Sequence, residues 1–234
     1  MKIMNEYNQK RINPPFWQHD CHILKRLYRE IKIEVHRWVN KNSEVLDYGC
    51  GPAPYEHLLT GRCSRYIKLD IGKNNSADIL VLENEKIPLP DSSWDVILST
   101  QVLEHVADPG FYLSECRRLL KPGGKLILST HGIWPYHPFP EDYWRFTESG
   151  LKKILRDNRF KTVNFKGLIG PFASSVQFTV LLLADFLVKK PFPAKLILVL
   201  LSVISNISIS VLDSIFPYRK NSDSSLYFLC AEKY

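Results

Sequence analysis

Short apolar runs alternate with amphipathic or polar segments along most of the chain, and this alternation predicts strands followed by helices. An amphipathic helix is predicted over residues 17–39, where apolar residues recur at helical spacing. Further helices are predicted over residues 109–120 and 147–158; a Pro-Gly-Gly run ends the first, and Thr147 caps the second. The predicted strands are residues 44–48, 65–70, 78–82, 94–99, 125–130, 160–166 and 225–232. This order is typical of an α/β fold with a parallel sheet and right-handed crossovers.

Two apolar segments, residues 178–188 and 196–216, interrupt this pattern before the last predicted strand. The second carries a single formal charge, Asp213, and is long enough to span a bilayer. A spanning hairpin would put the lysine-rich joint 189–195 outside, because the chain must return to the sheet, and this opposes the positive-inside tendency. The alternatives are helices packed on the domain or paired in a homodimer through 172–216, and helices in the membrane interface with lysines at the head groups.

The length of 234 residues fits one α/β domain with an elaboration. We therefore predict three parts. They are an N-terminal helical lid (1–40), an α/β domain (41–168 and 225–234), and an apolar helical insertion (169–224).

Composition narrows the class of protein further. The chain is 45% hydrophobic and 24% charged, which excludes a disordered or collagen-like protein. The net charge of +7 favours an anionic partner such as a phosphorylated substrate, a membrane surface or nucleic acid. The 5 cysteines form no CxxC pair, so we expect reduced thiols in the cytoplasm rather than disulfides or a zinc site. Residues 1–16 lack the apolar core of a signal peptide, which agrees with a cytoplasmic location.

The sharpest local signal is a pair of glycines, Gly49 and Gly51, directly after the first predicted strand. Glycines there let the backbone approach a ligand and turn tightly into a following helix. Asp70 ends the next strand, where a carboxylate can bind ribose hydroxyls. Dinucleotides and S-adenosylmethionine both use this geometry, but Asp47 would repel a pyrophosphate and suits an ammonium group, while Pro54 replaces the third glycine of the dinucleotide motif. The alternative is a purely structural turn with a solvated Asp70.

Residues 44–130 resemble the class I S-adenosylmethionine-dependent methyltransferases, in particular the type-11 methyltransferase domain family. The resemblance lies in the order and spacing of VLDYGCG (45–51), IPLPD (87–91), SWDVI (93–97), VLEH (102–105) and LLKPGG (119–124). It implies a Rossmann-like, seven-stranded, mostly parallel sheet with a reversed last strand, and S-adenosylmethionine as the cofactor.

The resemblance also implies which residues bind the cofactor. The first turn would contact the methionyl part of the cofactor, and the end of the second strand would contact its ribose. The loop after the third strand would lie beside the adenine, and the end of the fourth strand would line the floor of the pocket. The family often has Asp where this chain has Glu83. The predicted set is Asp47, Gly49, Cys50, Gly51, Asp70, Ile71, Glu83, Asn84, Ser99, Thr100 and Gln101.

Methyl transfer is an in-line displacement that needs positioning, exclusion of water and, for a hydroxyl acceptor, a base. It requires no metal, and we find no His and carboxylate spacing that demands one, so no metal site is predicted. His105 is one candidate base. It belongs to a Glu-His pair that recurs in family members with differing substrates, which favours a structural role for it.

The other candidate bases lie in the loop 131–147, which starts at the carboxyl edge of the sheet, where open α/β sheets bind ligands. Its density of histidines, carboxylates and aromatics predicts a functional loop, although an aromatic and proline plug is the alternative. We expect His137 or His131 to be the base, Asp142 to orient it and Arg145 to hold an anionic group of the substrate. The loop also resembles one in type-11 proteins from bacterial surface-polysaccharide clusters.

These observations predict methyl transfer from S-adenosylmethionine, with an oxygen of a sugar or lipid-linked glycan as the first candidate acceptor. A quinone or other lipid as the acceptor is one alternative, and a non-catalytic cofactor-binding scaffold is another. Nucleic acid is disfavoured, because Ser-Thr-Gln-Val at 99–102 replaces the base-flipping motif expected after the fourth strand. We expect a cytoplasmic protein that binds peripherally to the inner face of the membrane.

Overall fold

The computed structural model describes residues 2–216 and 221–234. The helices are α1 (Lys2–Ile12), α2 (Cys21–Trp38), α3 (Pro109–Leu119), α4 (Glu148–Asp157), α5 (Pro171–Val188) and α6 (Phe192–Ile215). The strands are β1 (Glu44–Tyr48), β2 (Arg65–Ile71), β3 (Ile79–Val81), β4 (Trp94–Thr100), β5 (Leu120–His131), β6 (Phe160–Gly167) and β7 (Leu226–Lys233). Met1 of the predicted lid and residues 217–220 of the predicted insertion lie outside the described residues. The division into three parts stays a prediction.

The strands form a seven-stranded sheet in the order β3-β2-β1-β4-β5-β7-β6. The pairs among β1 to β5 are parallel, and β7 runs antiparallel to both β5 and β6. The predicted Rossmann-like sheet with a reversed last strand is therefore confirmed. Because β1, β4 and β5 are neighbours and parallel, their carboxyl ends meet at one edge, where ligands of open α/β sheets bind.

The core lies on both faces of this sheet. On one face, Leu46, Ile97 and Leu128 are buried in a cluster that includes residues of α3 and α4. On the other face, Val45 and Ile127 pack in a cluster with the apolar stripe of α2. Burial on both faces explains why these strands read as continuous apolar runs instead of alternating patterns.

Two helices near the ligand edge are fixed by side-chain caps. Asp108 accepts a hydrogen bond from the backbone N–H of Phe111, 3.0 Å away, at the start of α3. Thr147 accepts one from the N–H of Gly150, 3.1 Å away, at the start of α4, so the predicted cap is confirmed. Such caps satisfy backbone donors that have no partner inside the helix.

Three local features differ from the sequence-based expectations. The glycine turn leads not into an α-helix but into a single 3₁₀ turn, Glu56–Leu58, and Pro52 and Pro54 explain this because proline is incompatible with the interior of a helix. Strand β5 begins at Leu120 and not at Lys125: the Pro-Gly-Gly run does end the helix, but it lies within the strand as an irregularity in the β4–β5 pairing. Helix α1 was not predicted as a separate element.

Helices α5 and α6 pack against each other and bury some of their polar residues, which are Ser174, Gln177, Ser202, Asn206 and Asp213. Asp213 pairs with Arg26 of α2 at 2.6 Å, and the amide of Asn206 donates to the carbonyl oxygens of Phe16 and Gln18. The outward face is apolar and exposed: Phe186 is 62% exposed and Ile204 60%. By length and composition alone, both helices could cross a membrane. The hairpin is thus joined to the domain by polar contacts and exposes its apolar side.

Candidate active site

The glycine turn, residues 49–51, follows β1 at the ligand edge of the sheet. Gly49 has φ of +77° and Gly51 has φ of +53°, both in the left-handed region that favours glycine. A Cβ at position 49 would lie 2.5 Å from Cγ2 of Val102, so the turn contacts the loop after β4 directly. A Cβ at position 51 would meet no described atom within 4 Å, which leaves open space beside the turn.

Asp70 at the end of β2 holds this turn in place. Its Oδ2 accepts hydrogen bonds from the N–H of Gly51 at 3.0 Å and from the amide of Asn74 at 2.5 Å. Its Oδ1 accepts from the N–H of Ile71 at 2.9 Å. Asn74 also donates to the carbonyl oxygen of Gly51, at 2.6 Å. In this conformation Asp70 bonds to the turn itself, and its predicted contact with ribose stays a prediction.

Asp47 lies at the end of β1, nearly fully buried. Burial raises the pKa of Asp47 to about 7, although a hydrogen bond from the hydroxyl of Tyr66, 2.6 Å away, acts to lower it. A buried carboxyl of this kind gains from a nearby cation, because the cation favours its ionised form. The position therefore suits the ammonium group that the sequence analysis assigned to it.

The remaining predicted cofactor residues lie along the same edge with different exposures. Ser99 is fully buried and its hydroxyl lies 2.8 Å from that of Tyr112, so its side chain does not line an open pocket. Glu83 accepts a hydrogen bond from the N–H of Ala107 at 3.0 Å, which links the loops after β3 and β4. Cys50 is buried, Thr100 and Gln101 are half-buried, and Asn84 and Gln101 have positive φ.

A second group of side chains, the histidine cluster, consists of Glu104, His105, His131, His137 and Asp142. Nδ1 of His131 lies 2.8 Å from Oε1 of Glu104, and both residues are buried. Burial lowers the pKa of His131, and the adjacent His131 keeps the pKa of Glu104 below its ordinary value against the opposing effect of burial. On His131 itself, burial and the neighbouring carboxylate act on the pKa in opposite directions, and burial prevails.

His137 packs edge-on against His131, with ring centroids 4.6 Å apart, and against His105 at 5.0 Å. The backbone N–H of His137 donates to Oδ2 of Asp142 at 2.8 Å. Burial lowers the pKa of the His137 ring to about 4. Trp134 stacks on the ring of His131, with centroids 4.5 Å apart, and its centroid lies 6.4 Å from that of His137. The fold thus brings together all three histidines that the sequence singled out, with His137 and His105 in the more exposed positions.

Arg145 has a different position from the one expected. Its guanidinium donates to both oxygens of Asp142 at 2.6 Å and to the carbonyl oxygens of Trp134, Pro135 and Trp144. These bonds use all five of its N–H groups. The predicted contact with an anionic group of the substrate therefore finds no free donor in this conformation, and the geometry favours a role for Arg145 in holding the loop.

Residues 46–128 match the sequence model of a family described as "Methyltransferase domain". Within this span lie the glycine turn, Asp70 and Glu104. This part of the chain is similar to known methyltransferase domains, and its match covers residues 46–128 only. S-adenosylmethionine is the cofactor of this family, and the residues present fit it, because open space lies beside Gly51 and a buried carboxyl, Asp47, suits its cationic end.

Curated relatives extend this match. A "Probable S-adenosylmethionine-dependent methyltransferase" of Mycolicibacterium smegmatis is 36% identical over 104 residues, covering 41% of this chain and 40% of that protein. A "Ubiquinone biosynthesis O-methyltransferase" of Cereibacter sphaeroides is 47% identical over 58 residues, covering 25% of this chain and 21% of that one. The chain thus spans less than half the length of these methyltransferases.

Solved structures agree with the fold. Phosphoethanolamine N-methyltransferase 2 of Haemonchus contortus, in complex with S-adenosyl-L-methionine, superposes with a TM-score of 0.57 over 98% of this chain and 60% of that one. The sequence identity is 15%, so this likeness concerns the methyltransferase fold alone.

Several residues of this candidate site were not predicted from the sequence. Tyr66 and Asn74 bond to Asp47 and Asp70 from β2 and the loop that follows it. Glu104 was noticed only as the neighbour of His105. The signal that could have found Glu104 is its place directly after the apolar residues Val102 and Leu103, which indicates a carboxylate that needs a buried partner.

Proposed function

We propose that the protein transfers the methyl group of S-adenosylmethionine to an oxygen of a sugar or lipid-linked glycan at a membrane surface. The observation that carries this proposal is the position of the histidine cluster next to the glycine turn. A hydroxyl acceptor must lose its proton as the new O–C bond forms, and imidazole nitrogens are the groups that most often accept it.

The sheet order explains this juxtaposition. Strand β4 lies between β1, which ends at the glycine turn, and β5, which ends at His131. Adjacent strands lie about 5 Å apart, so groups at these three ends are within the reach of one small acceptor. Val102, in the loop after β4, lies against Gly49 and joins the two regions.

The roles of individual residues follow from exposure. Asp47 and the glycine turn would hold the cofactor, which supplies a methyl group on a sulfonium. His137 and His105 would face the acceptor, because His131 is enclosed by Glu104 and Trp134. The loop that Asp142 and Arg145 hold would exclude water from the reacting atoms.

The outer face of α5 and α6 supports a membrane location. Its exposed apolar side chains lie next to Lys189, Lys190 and Lys195, all exposed at the joint of the hairpin. An apolar face with a basic rim binds anionic leaflets, at about 1 kcal/mol per basic residue near the surface. We infer a cytoplasmic protein that binds peripherally to the inner face of the membrane.

Flotation with anionic liposomes tests the location. Binding in low salt that weakens on replacing the three lysines with glutamate would support it. A protein that stays at the bottom of the gradient and elutes as a stable dimer would instead support a homodimer through 172–216.

A quinone or other lipid acceptor is the second candidate. It is favoured by the segment that is 47% identical to a ubiquinone biosynthesis O-methyltransferase. The apolar hairpin would serve this acceptor equally well.

Incubation with methyl-labelled S-adenosylmethionine and separate glycan, lipid-linked glycan and quinone fractions distinguishes these acceptors. Label in a glycan fraction supports the proposal, and label in quinone supports the alternative. Cofactor binding without transfer to any fraction would favour a scaffold protein. The Asp47→Asn variant is the control, since it should lose label in every fraction.

A further inference from the structure

Three side chains of the histidine cluster point potential ligand atoms at one another. One donor atom from each of Glu104, His131 and His137 lies within 4.8 Å of the other two. Ligands that are 2.0–2.2 Å from a common ion are at most about 4.4 Å apart, so a small rotation of the half-exposed His137 closes the set. Glu104 and His131 come from different strand ends, which makes the set a product of the fold.

The buried histidine of this set has an unsatisfied polar atom. Nδ1 of the buried His131 lies 2.8 Å from Oε1 of Glu104, so these two atoms face each other. Nε2 of His131 is buried and, among the described residues, has no hydrogen-bond partner. Buried polar atoms without partners are rare in folded proteins and need an explanation. Two ligands of one cation would have this arrangement.

The surrounding contacts are those that support metal ligands. Thr130 donates to Oε2 of Glu104 at 2.9 Å, which fixes the carboxylate and leaves Oε1 available. Nδ1 of His137 faces the carbonyl oxygen of Pro135 at 3.2 Å and Asp142 at 3.3 Å, which leaves Nε2 available. A ligating histidine usually donates its other ring nitrogen to a carbonyl or carboxylate in this way.

We propose that Glu104, His131 and His137 bind one divalent transition-metal ion. Two imidazoles and one carboxylate form a ligand set of zinc and of non-haem iron, and such sites keep an open coordination position. His105 and Asp142 lie at the border of this site, since they form a second group of potential ligands with His137. The sequence had predicted no metal, because these ligands have no recognisable spacing along the chain.

The role of such an ion rests on the proposed methyl transfer. An acceptor hydroxyl at the open position would have a lowered pKa, as a Lewis acid lowers that of bound water. The S–CH₃ bond would break as the O–CH₃ bond forms, and the hydroxyl proton would leave to solvent. His131 and His137 would then act as ligands rather than as bases.

Titration of the chelator-treated protein with Co²⁺, followed by visible absorption, tests the site without using activity. We expect one Co²⁺ per chain, displaced by Zn²⁺. His137→Ala and Glu104→Gln should weaken binding by about 100-fold or more, because each removes a direct ligand. His36→Ala is the matched control, since His36 is exposed on α2 away from the cluster.

Absence of stoichiometric Co²⁺ binding, or equal binding by the wild type and both variants, would overturn the metal site. Calorimetry with S-adenosylmethionine on the same chelator-treated protein keeps this outcome separate from the proposed function. If the metal-free protein still binds the cofactor and transfers the methyl group, the proposed function stands and the ion has no part in it.

Discussion

The glycine turn and the histidine cluster lie at neighbouring strand ends but are built in opposite ways. The turn is mostly backbone and is open on one side, where a Cβ at Gly51 would meet no described atom. The cluster consists of side chains in close contact, with His131 enclosed between Glu104 and Trp134. An open backbone surface suits a ligand that must enter and leave, whereas packed side chains keep reactive groups in fixed positions.

The largest expected effect is at the turn. Gly51→Val should weaken binding of S-adenosylmethionine by more than about 100-fold, because a branched side chain would fill ligand space at a positive φ. Calorimetry measures this. Gly61→Val is the matched control: Gly61 has φ of +71° and open space around it, but it lies away from the turn. Equal affinity in the two variants would contradict the assignment of the cofactor site.

Substitutions in the histidine cluster should lower the turnover rate and leave the affinity for the cofactor nearly unchanged. His137→Ala should lower kcat by about 100-fold, whether the side chain accepts a proton or binds an ion, with cofactor affinity nearly unchanged. Steady-state kinetics and calorimetry on the same preparation separate the two quantities. Full activity in this variant would locate acceptor activation elsewhere, with His105 as the next residue to replace.

The pH dependence of cofactor binding tests the side of the comparison that concerns the cofactor site. Asp47 has a pKa of about 7 in the free protein, so below that pH a proton must leave before the carboxylate can face a cation. Affinity should therefore fall by up to about tenfold for each pH unit below 7 and level off above it. Calorimetry in buffers of different ionisation enthalpy measures the released proton. Affinity that does not change across this range would contradict the role of Asp47.

The Tyr66→Phe variant tests the role of Asp47 by removing the hydroxyl that donates a hydrogen bond to it. Loss of the 2.6 Å hydrogen bond, which favours the ionised form, should raise the pKa of Asp47 further. Binding of the cofactor near neutral pH should weaken severalfold, by about 1 kcal/mol or less. Recovery of wild-type affinity at higher pH would distinguish this electrostatic effect from a structural one.

The smallest expected effect is at Arg145. Arg145→Lys keeps the charge but loses the bidentate contact with Asp142 and the fork of bonds to backbone carbonyls, at a cost of about 1 kcal/mol in stability. Denaturant unfolding measures this cost, and the loosened loop should reduce turnover only severalfold. A large rise in KM for the acceptor with unchanged stability would instead support the predicted contact between Arg145 and an anionic group of the substrate.

The sequence carried the information that is local along the chain. Element order, the cap at Thr147 and the positive-φ glycines depend on neighbouring residues, so the Rossmann-like methyltransferase fold could be predicted from motifs between residues 44 and 130. The predicted end of the helix before Pro122 is confirmed, but the start of β5 was predicted five residues too late, because pairing of Leu120 with β4 extends the strand through the Pro-Gly-Gly run. Helix α1 lacks a strong apolar stripe, so its pattern gave no prediction.

Only the tertiary structure decided how the candidate site is assembled. The sequence named His105, His131 and His137, but the contact of His131 with Glu104 and the saturation of Arg145 depend on which strand ends and loop atoms meet across the sheet. The tertiary structure also fixed which face of α6 points outward, because Asp213 and Asn206 of this helix found partners on the rest of the domain. Local propensity determines the elements, whereas register and packing between distant segments determine the partners of each side chain.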